Sequence, residues 1–236
     1  MSKDISSSID ENTRRFYLEA MGIQRWQAIG ASIESELDPE VLTVADSNRE
    51  VTVSPWSQIE SDIQQCQQCQ LHAGRKQPIL GRGNQSADLM FVVLAASPED
   101  DMAATLCSGE AETLFSKMLS AIDIAIDDVY ITGLLKCCVT QQHTISPKEI
   151  QSCGAYLKQQ VALIQPRRIV VLGETAIQCL LQKNMSIDEC RNMNNGLPQQ
   201  FESIPLFFSY SPQELIVNPG DKRKAWSDLQ LLQSLI

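Results

Sequence analysis

The stretch Asp88-Leu-Met-Phe-Val-Val-Leu-Ala95 is apolar at every position after its aspartate. An unbroken apolar run of this length predicts a strand that is buried on both faces, as in a parallel sheet. Three later runs have the same character, and helical patterns separate them. The predicted strands cover 88–95, 129–135, 168–172 and 205–210, and the predicted helices cover 110–122, 146–164, 174–181 and 221–235. This alternation predicts an α/β fold in which helices cover both faces of a central parallel four-stranded sheet.

The chain has 236 residues, and its composition predicts three parts. Residues 57–236 carry the strands and helices and predict one folded domain. Residues 31–56 are acidic and polar, which predicts a linker, and residues 1–30 predict a separate partner-binding peptide or helix. The chain has no apolar run long enough for a bilayer and no signal-peptide pattern at its start, so we expect a cytoplasmic protein without a membrane partner.

The charge of the chain argues against strong direct binding to nucleic acid. Residues 1–57 carry five Lys or Arg and ten Asp or Glu, and residues 58–236 carry fourteen and nineteen. Each part therefore has a net charge of −5, and the whole chain has −10. Proteins that bind nucleic acid gain much of their affinity from Lys and Arg that neutralise phosphates.

Four of the eight cysteines form a pattern that predicts a metal centre. Cys66 and Cys69 have the two-residue spacing that lets two thiolates face one centre, and the fold has to bring Cys137 and Cys153 to them. This set suits either a tetrahedral zinc ion or a [4Fe–4S] cluster, and the spacing alone leaves both open. The alternatives are a redox pair at Cys66 and Cys69 or ordinary buried thiols.

The N-terminal segment combines aromatic, methionine and arginine side chains, which are enriched at protein–protein interfaces. A capping-box pattern at Ser8-Ile-Asp-Glu11 precedes a short predicted helix over 13–21. The alternative is a helix that packs on its own domain. The predicted partner-binding residues are Arg14, Arg15, Phe16, Tyr17, Met21, Ile23 and Trp26.

Residues 58–236 resemble the iron–sulfur uracil-DNA glycosylases of family 4. The matching motifs include Cys66-x-x-Cys69-x-Leu-His72, Gly81-x-Gly-Asn84, Lys136-Cys137, Cys153-x-x-Tyr-Leu157 and Asn218-Pro219. The resemblance implies a three-layer α/β/α fold of the uracil-DNA-glycosylase type. It also implies a [4Fe–4S] cluster on Cys66, Cys69, Cys137 and Cys153, with zinc as the alternative cofactor and Cys138 competing with Cys137 as the third ligand.

Four positions at which this family places its chemistry carry different residues here. Leu94 stands at the glutamate position, Cys107 at the uracil-stacking phenylalanine, Gly133 at the uracil-reading asparagine and Ser211 at the histidine. A leucine side chain cannot orient water by hydrogen bonding, and glycine has no side chain to read a base. We therefore expect a degenerate pocket without catalytic residues. His143 has no evident carboxylate partner in the sequence and is interpreted as structural.

The segment from Arg14 to Trp26 resembles the start of the psi subunit of the bacterial DNA polymerase III clamp loader. That subunit carries Arg-Arg, Leu-Gly-Ile and Trp at the same intervals as Arg14-Arg15, Met21-Gly22-Ile23 and Trp26. The resemblance implies an N-terminal segment that docks on the tau/gamma subunits. It also implies a folded domain that binds the chi subunit and, through chi, connects indirectly to single-stranded-DNA-binding protein.

Two hypotheses follow from these resemblances, and a redox-sensing adaptor is a third possibility. The first is a non-catalytic, psi-like accessory subunit with a structural [4Fe–4S] cluster. The second is a divergent iron–sulfur uracil-DNA glycosylase that acts in base-excision repair.

Overall fold

The structure is a computed structural model that describes residues 56–140, 142–196 and 198–236. The central sheet has six strands: β1 (Arg82–Gly83), β2 (Leu89–Val93), β3 (Tyr130–Gly133), β4 (Arg168–Leu172), β5 (Gln200–Phe201) and β6 (Ile204–Ser209). Their spatial order is β1-β3-β2-β4-β6-β5. The four inner strands run parallel, which confirms the predicted sheet.

Two short edge strands add to the predicted sheet. β1 pairs antiparallel with β3, and β5 pairs antiparallel with β6. Each has only two residues, which is too short for an alternating or continuous apolar pattern, so the sequence did not predict them.

Eight helices connect or cover the strands in the described part of the chain. They are α1 (Trp56–Gln64), α2 (Pro98–Ala103), α3 (Gly109–Ser120), α4 (Pro147–Ile164), α5 (Glu174–Leu181), α6 (Ile187–Asn192), α7 (Pro212–Val217) and α8 (Lys222–Gln233). Helices α3, α4, α5 and α8 match the four predicted helices, whereas α2, α6 and α7 have six residues each and were not predicted. None of the described helices is long and apolar enough to span a membrane.

Successive side chains of the inner strands enter two separate cores because side chains alternate across a sheet. On β2, Phe91 and Val93 pack into a core that also includes Phe115 of α3 and Leu232 of α8. Met90 and Val92 point to the other face and pack into a core with Leu157 of α4 and other residues of α4 to α6. Helices therefore cover both faces, and the layers are those of an α/β/α fold.

Four helices begin with a capping box, in which a serine hydroxyl and a carboxylate three residues later satisfy backbone N–H groups at the helix start. The pairs are Ser97 and Asp100, Ser146 and Glu149, Ser186 and Glu189, and Ser211 and Glu214. These caps fix where α2, α4, α6 and α7 begin. Because α2 and α7 start just beyond strands β2 and β6, two of the carboxylates lie at the carboxyl edge of the sheet.

Candidate functional site

A cleft of about 410 Å³ lies at the carboxyl ends of the parallel strands. Its walls come from the residues after β2, the residues after β4, the loop after β3, and the start of α7. In open α/β sheets, ligands bind at this edge, where loops and helix starts present polar groups. The cleft is therefore the place at which chemistry of the glycosylase type would occur.

The structure places the four substituted positions in different surroundings. Leu94 and Ser211 line the cleft. Cys107 is fully buried in the core on the α3 side, and burial raises the pKa of its thiol to about 12. Gly133 is buried at the end of β3, and a Cβ atom there would lie 2.5 Å from the carbonyl oxygen of Leu135. A side chain at position 133 thus requires the backbone to move.

Two backbone N–H groups hold the carboxylate of Glu214 in the cleft wall. Its Oε1 accepts a hydrogen bond from the backbone N–H of Glu174 at 2.9 Å, and its Oε2 accepts one from the N–H of Ser211 at 2.9 Å. These two N–H groups stand just beyond β4 and β6. The carboxylate therefore occupies both N–H donors and places negative charge in the cleft wall.

The interpretation that His143 has no carboxylate partner is wrong. His143 lines the cleft, and its Nε2 lies 3.1 Å from both carboxylate oxygens of Glu149. Glu149 is buried and also accepts hydrogen bonds from the backbone N–H and the hydroxyl of Ser146. Burial alone would raise the pKa of Glu149, but the Ser146 N–H, His143 and the Ser146 hydroxyl together hold it below its usual range.

The sequence contains a pattern that predicts the local contacts of the Glu149 and Glu214 carboxylates. Ser-x-x-Glu is a capping-box pattern, and it occurs at Ser146-Pro-Lys-Glu149 and at Ser211-Pro-Gln-Glu214. The pattern predicts the local cap. It does not predict that Glu214 also accepts from Glu174, which is 40 positions away in the chain.

The four predicted ligand cysteines lie near one another. Cys137 and Cys153 are buried in one small apolar cluster, and half-buried Cys69 packs against it. Cys66 lies beside the neighbouring cluster under α1. Burial raises the pKa of the Cys137 and Cys153 thiols, to about 11 for Cys153, and negative charge on neighbouring thiols of this group raises both further. The fold thus brings Cys69, Cys137 and Cys153 into one apolar cluster, and Cys66 packs beside another.

Arg75 joins two segments of this cysteine group, and the sequence analysis did not identify it. Its Nη1 donates to the Sγ of Cys137 at 2.8 Å, and its Nη2 donates to the carbonyl oxygen of Cys66 at 2.8 Å. A guanidinium beside a thiol stabilises the thiolate, which is the form that binds iron or zinc. The donor set of four thiols with a cationic neighbour and apolar surroundings therefore fits an iron–sulfur cluster.

Cys138 packs with a different cluster from the predicted ligands. It packs against the core on the α3 side, and its neighbours Asp101 and Asp100 add to burial in raising its pKa. This placement supports Cys137 over Cys138 as the third ligand. Across the described residues, no three His, Cys, Asp or Glu side chains are grouped as a single metal ion requires. The predicted partner-binding residues from Arg14 to Trp26 lie outside the described part of the chain.

Comparison with known proteins identifies a family for most of the folded domain. A family model described as the uracil DNA glycosylase superfamily matches residues 80–230. The chain is 28% identical to a type-4 uracil-DNA glycosylase of Archaeoglobus fulgidus over 181 residues, which cover 75% of this chain and 91% of the relative. It is 31% identical to the type-4 uracil-DNA glycosylase of Thermotoga maritima over 181 residues, covering 75% and 93%. These relatives give no support to the clamp-loader resemblance.

Proposed function

Because the chain belongs to the uracil-DNA glycosylase superfamily, we propose that it is a non-catalytic member that serves as a protein-binding subunit. The observation that carries this proposal is the position of Glu214 in the cleft wall. Removal of a base from DNA develops negative charge on the departing base, and enzymes stabilise that charge with hydrogen-bond donors. A carboxylate that occupies two such donors leaves them unavailable to the departing base.

The neighbouring residues support the same conclusion. Leu94 presents an alkyl chain to the cleft where the resemblance implies a glutamate, and Ser211 is engaged as the cap of α7. The backbone around Gly133 leaves no room for a base-reading side chain. Two positions of the cleft wall and one buried position at the end of β3 thus carry residues that support a non-catalytic role.

A cleavage assay tests the proposal. The protein, purified without oxygen, is incubated with single- and double-stranded oligonucleotides that contain one uracil, and the Thermotoga maritima relative serves as the positive control. We expect no release of uracil above a protein-free control. Release that is lost in the Ser211→Ala variant would contradict the proposal, because it would assign catalysis to this cleft.

The narrower part of the proposal is a psi-like role in the clamp loader, in the cytoplasm. It rests on the sequence motif from Arg14 to Trp26, in which residues 10–28 would dock on tau/gamma while the folded domain binds chi. Aromatic and arginine side chains dominate binding energy at such interfaces. We expect Trp26→Ala to lose capture by purified tau/gamma while its thermal unfolding stays unchanged. Capture at wild-type strength would refute this role.

The proposal includes a structural [4Fe–4S] cluster held by Cys66, Cys69, Cys137 and Cys153, with zinc as the alternative. Its support is the packing of Cys69, Cys137 and Cys153 in one apolar cluster, together with the hydrogen bonds from Arg75 to the Sγ of Cys137 and to the carbonyl oxygen of Cys66. When bound, the cluster supplies iron–thiolate bonds that cross-link the segment after α1 to the end of β3 and to α4. Iron analysis and the visible absorbance of the anaerobic protein distinguish it from zinc.

The second candidate is an active, divergent uracil-DNA glycosylase. The names of the relatives favour it, and the comparisons support it better than they support the clamp-loader role. His143 lines the cleft and is paired with Glu149, and such an enzyme could use it for proton transfer. In the cleavage assay this candidate predicts uracil release that His143→Ala abolishes.

A further inference from the structure

The side chain of Arg75 is directed at a sulfur atom rather than at a carboxylate. Three other arginines, Arg82, Arg167 and Arg191, each pair with a carboxylate. Among the described residues, no carboxylate lies within 4.0 Å of the half-buried Arg75 guanidinium, although the chain has 29 acidic residues. Its Nη1 donates to the Sγ of Cys137 at 2.8 Å instead. Because a guanidinium is always charged, this contact suits a sulfur that carries negative charge.

The same guanidinium connects two segments that supply cysteines. While Nη1 donates to the sulfur of Cys137, Nη2 donates at 2.8 Å to the carbonyl oxygen of Cys66, just beyond α1. The planar fork of a guanidinium can serve two acceptors at once, whereas a lysine ammonium is a compact point charge on a flexible stem. Arg75 therefore places positive charge at the Cys137 sulfur and holds the Cys66 segment beside it.

Asp101 of α2 holds the backbone that carries Arg75. Its Oδ2 accepts a hydrogen bond from the N–H of Lys76 at 2.8 Å, and its Oδ1 accepts one from the N–H of Gln77 at 3.4 Å. Asp101 is buried, and its carboxylate forms no ion pair within the described residues. These hydrogen bonds hold the two peptide units that follow Arg75, so they restrict where its guanidinium can lie.

We propose that Arg75 compensates the charge of the cofactor in the cysteine group and that Asp101 is its positioning residue. The inference rests on the [4Fe–4S] cluster of the proposed function and adds two residues that act on it. Four thiolates bring more negative charge than a zinc ion or an oxidised [4Fe–4S] core offsets. A cation that donates a hydrogen bond to a ligand sulfur stabilises this excess charge in apolar surroundings. It also raises the reduction potential of a cluster, because reduction adds further negative charge.

The test compares variants of the full-length protein purified without oxygen. Arg75→Gln removes the charge and keeps N–H donors, Arg75→Lys keeps the charge without the planar fork, and Asp101→Asn weakens the support of the Arg75 backbone. Arg167→Gln is the matched control, because that exposed guanidinium pairs with Asp88 outside the cysteine group. Circular dichroism and thermal unfolding check that each variant folds.

Two quantities are measured on the iron-loaded proteins: the reduction potential of the cluster and the rate at which a chelator removes iron. We expect Arg75→Gln to have a more negative potential than wild type and to lose iron about tenfold faster. Arg75→Lys should keep a potential nearer to that of wild type and still lose iron faster. Asp101→Asn should change both quantities in the direction of Arg75→Gln but by less, and Arg167→Gln should match wild type.

The outcomes separate this inference from the proposed function. Arg75→Gln with the wild-type potential and rate of iron loss would overturn the inference and leave the cluster in place. Lower thermal stability with an unchanged potential would mean that Arg75 only links backbone segments, which also overturns it. Wild-type protein that folds but binds neither iron nor zinc would refute the proposed cofactor together with the inference.

Two further cases have their own comparisons. If Arg75→Gln does not fold, Arg75→Lys and Asp101→Asn are judged by the same two quantities, and wild-type values in both variants overturn the inference. If metal analysis finds zinc instead of iron, competition with a zinc chelator replaces both measurements. Arg75→Gln should then bind zinc about tenfold more weakly than wild type, and equal affinity would contradict the inference.

Discussion

The cysteine region and the strand-end cleft lie near the same edge of one sheet. They differ in whether their side chains fit the chemistry of the glycosylase family. In the cysteine region, four thiols from three separate segments pack against two apolar clusters, and Arg75 holds two of those segments together. In the cleft, Ser211 and Glu214 are occupied with capping helices, and Leu94 offers no polar group. Under the proposed function, this difference means that the cysteine region supports the scaffold while the cleft no longer carries out the family's reaction.

The largest expected effect comes from removing a cysteine of the group. Cys153→Ala should lower the free energy of unfolding by several kcal/mol, on the order expected when a structural metal centre is lost. Urea unfolding measured together with iron content checks this. Cys179→Ala is the control, because that half-buried thiol lies on α5 outside the group. Equal unfolding curves for the two variants would mean that the cysteine region has no structural cofactor.

A smaller effect is expected from restoring the asparagine of the glycosylase pattern at Gly133, the buried last residue of β3. Gly133→Asn places a Cβ 2.5 Å from the Leu135 carbonyl oxygen, so it should destabilise the domain by about 1–3 kcal/mol, as overpacking does. It should also bring no uracil release. Gly220→Asn, at an open position, should unfold like wild type. A stable Gly133→Asn variant that releases uracil from DNA would contradict the claim that the cleft, unlike the cysteine region, no longer fits the glycosylase family.

The smallest effect concerns the His143–Glu149 pair in the cleft wall. The pKa of Glu149 is lower in the folded protein than in the unfolded chain, so the unfolded state binds more protons in the acid range. Its contribution to stability is therefore present above its unfolded pKa and is lost as the pH falls through the folded pKa. The urea concentration at the unfolding midpoint is measured from pH 7 to pH 4. We expect it to fall less steeply with decreasing pH in the Glu149→Gln variant than in wild type. Glu110→Gln, at an exposed helix start, should leave that fall as steep as in wild type.

The parallel sheet could be predicted because β2 and β4 are buried on both faces, which requires apolar residues at consecutive positions. The edge strands could not, since two residues carry no periodic signal. In the site, the sequence was enough to predict that Leu94, Gly133 and Ser211 stand where the glycosylase family has other side chains. The partners of Glu214, His143 and Arg75 were not, because each lies on another element and only the folded backbone brings it within hydrogen-bond distance.

The most direct measurement of the central claim is a single-turnover reaction with protein in excess over a uracil-containing oligonucleotide, on anaerobic protein whose iron content has been determined. The account predicts about four iron atoms per chain and no uracil released over hours. Iron-loaded protein that releases uracil, and loses that activity in the His143→Ala variant, would contradict the account.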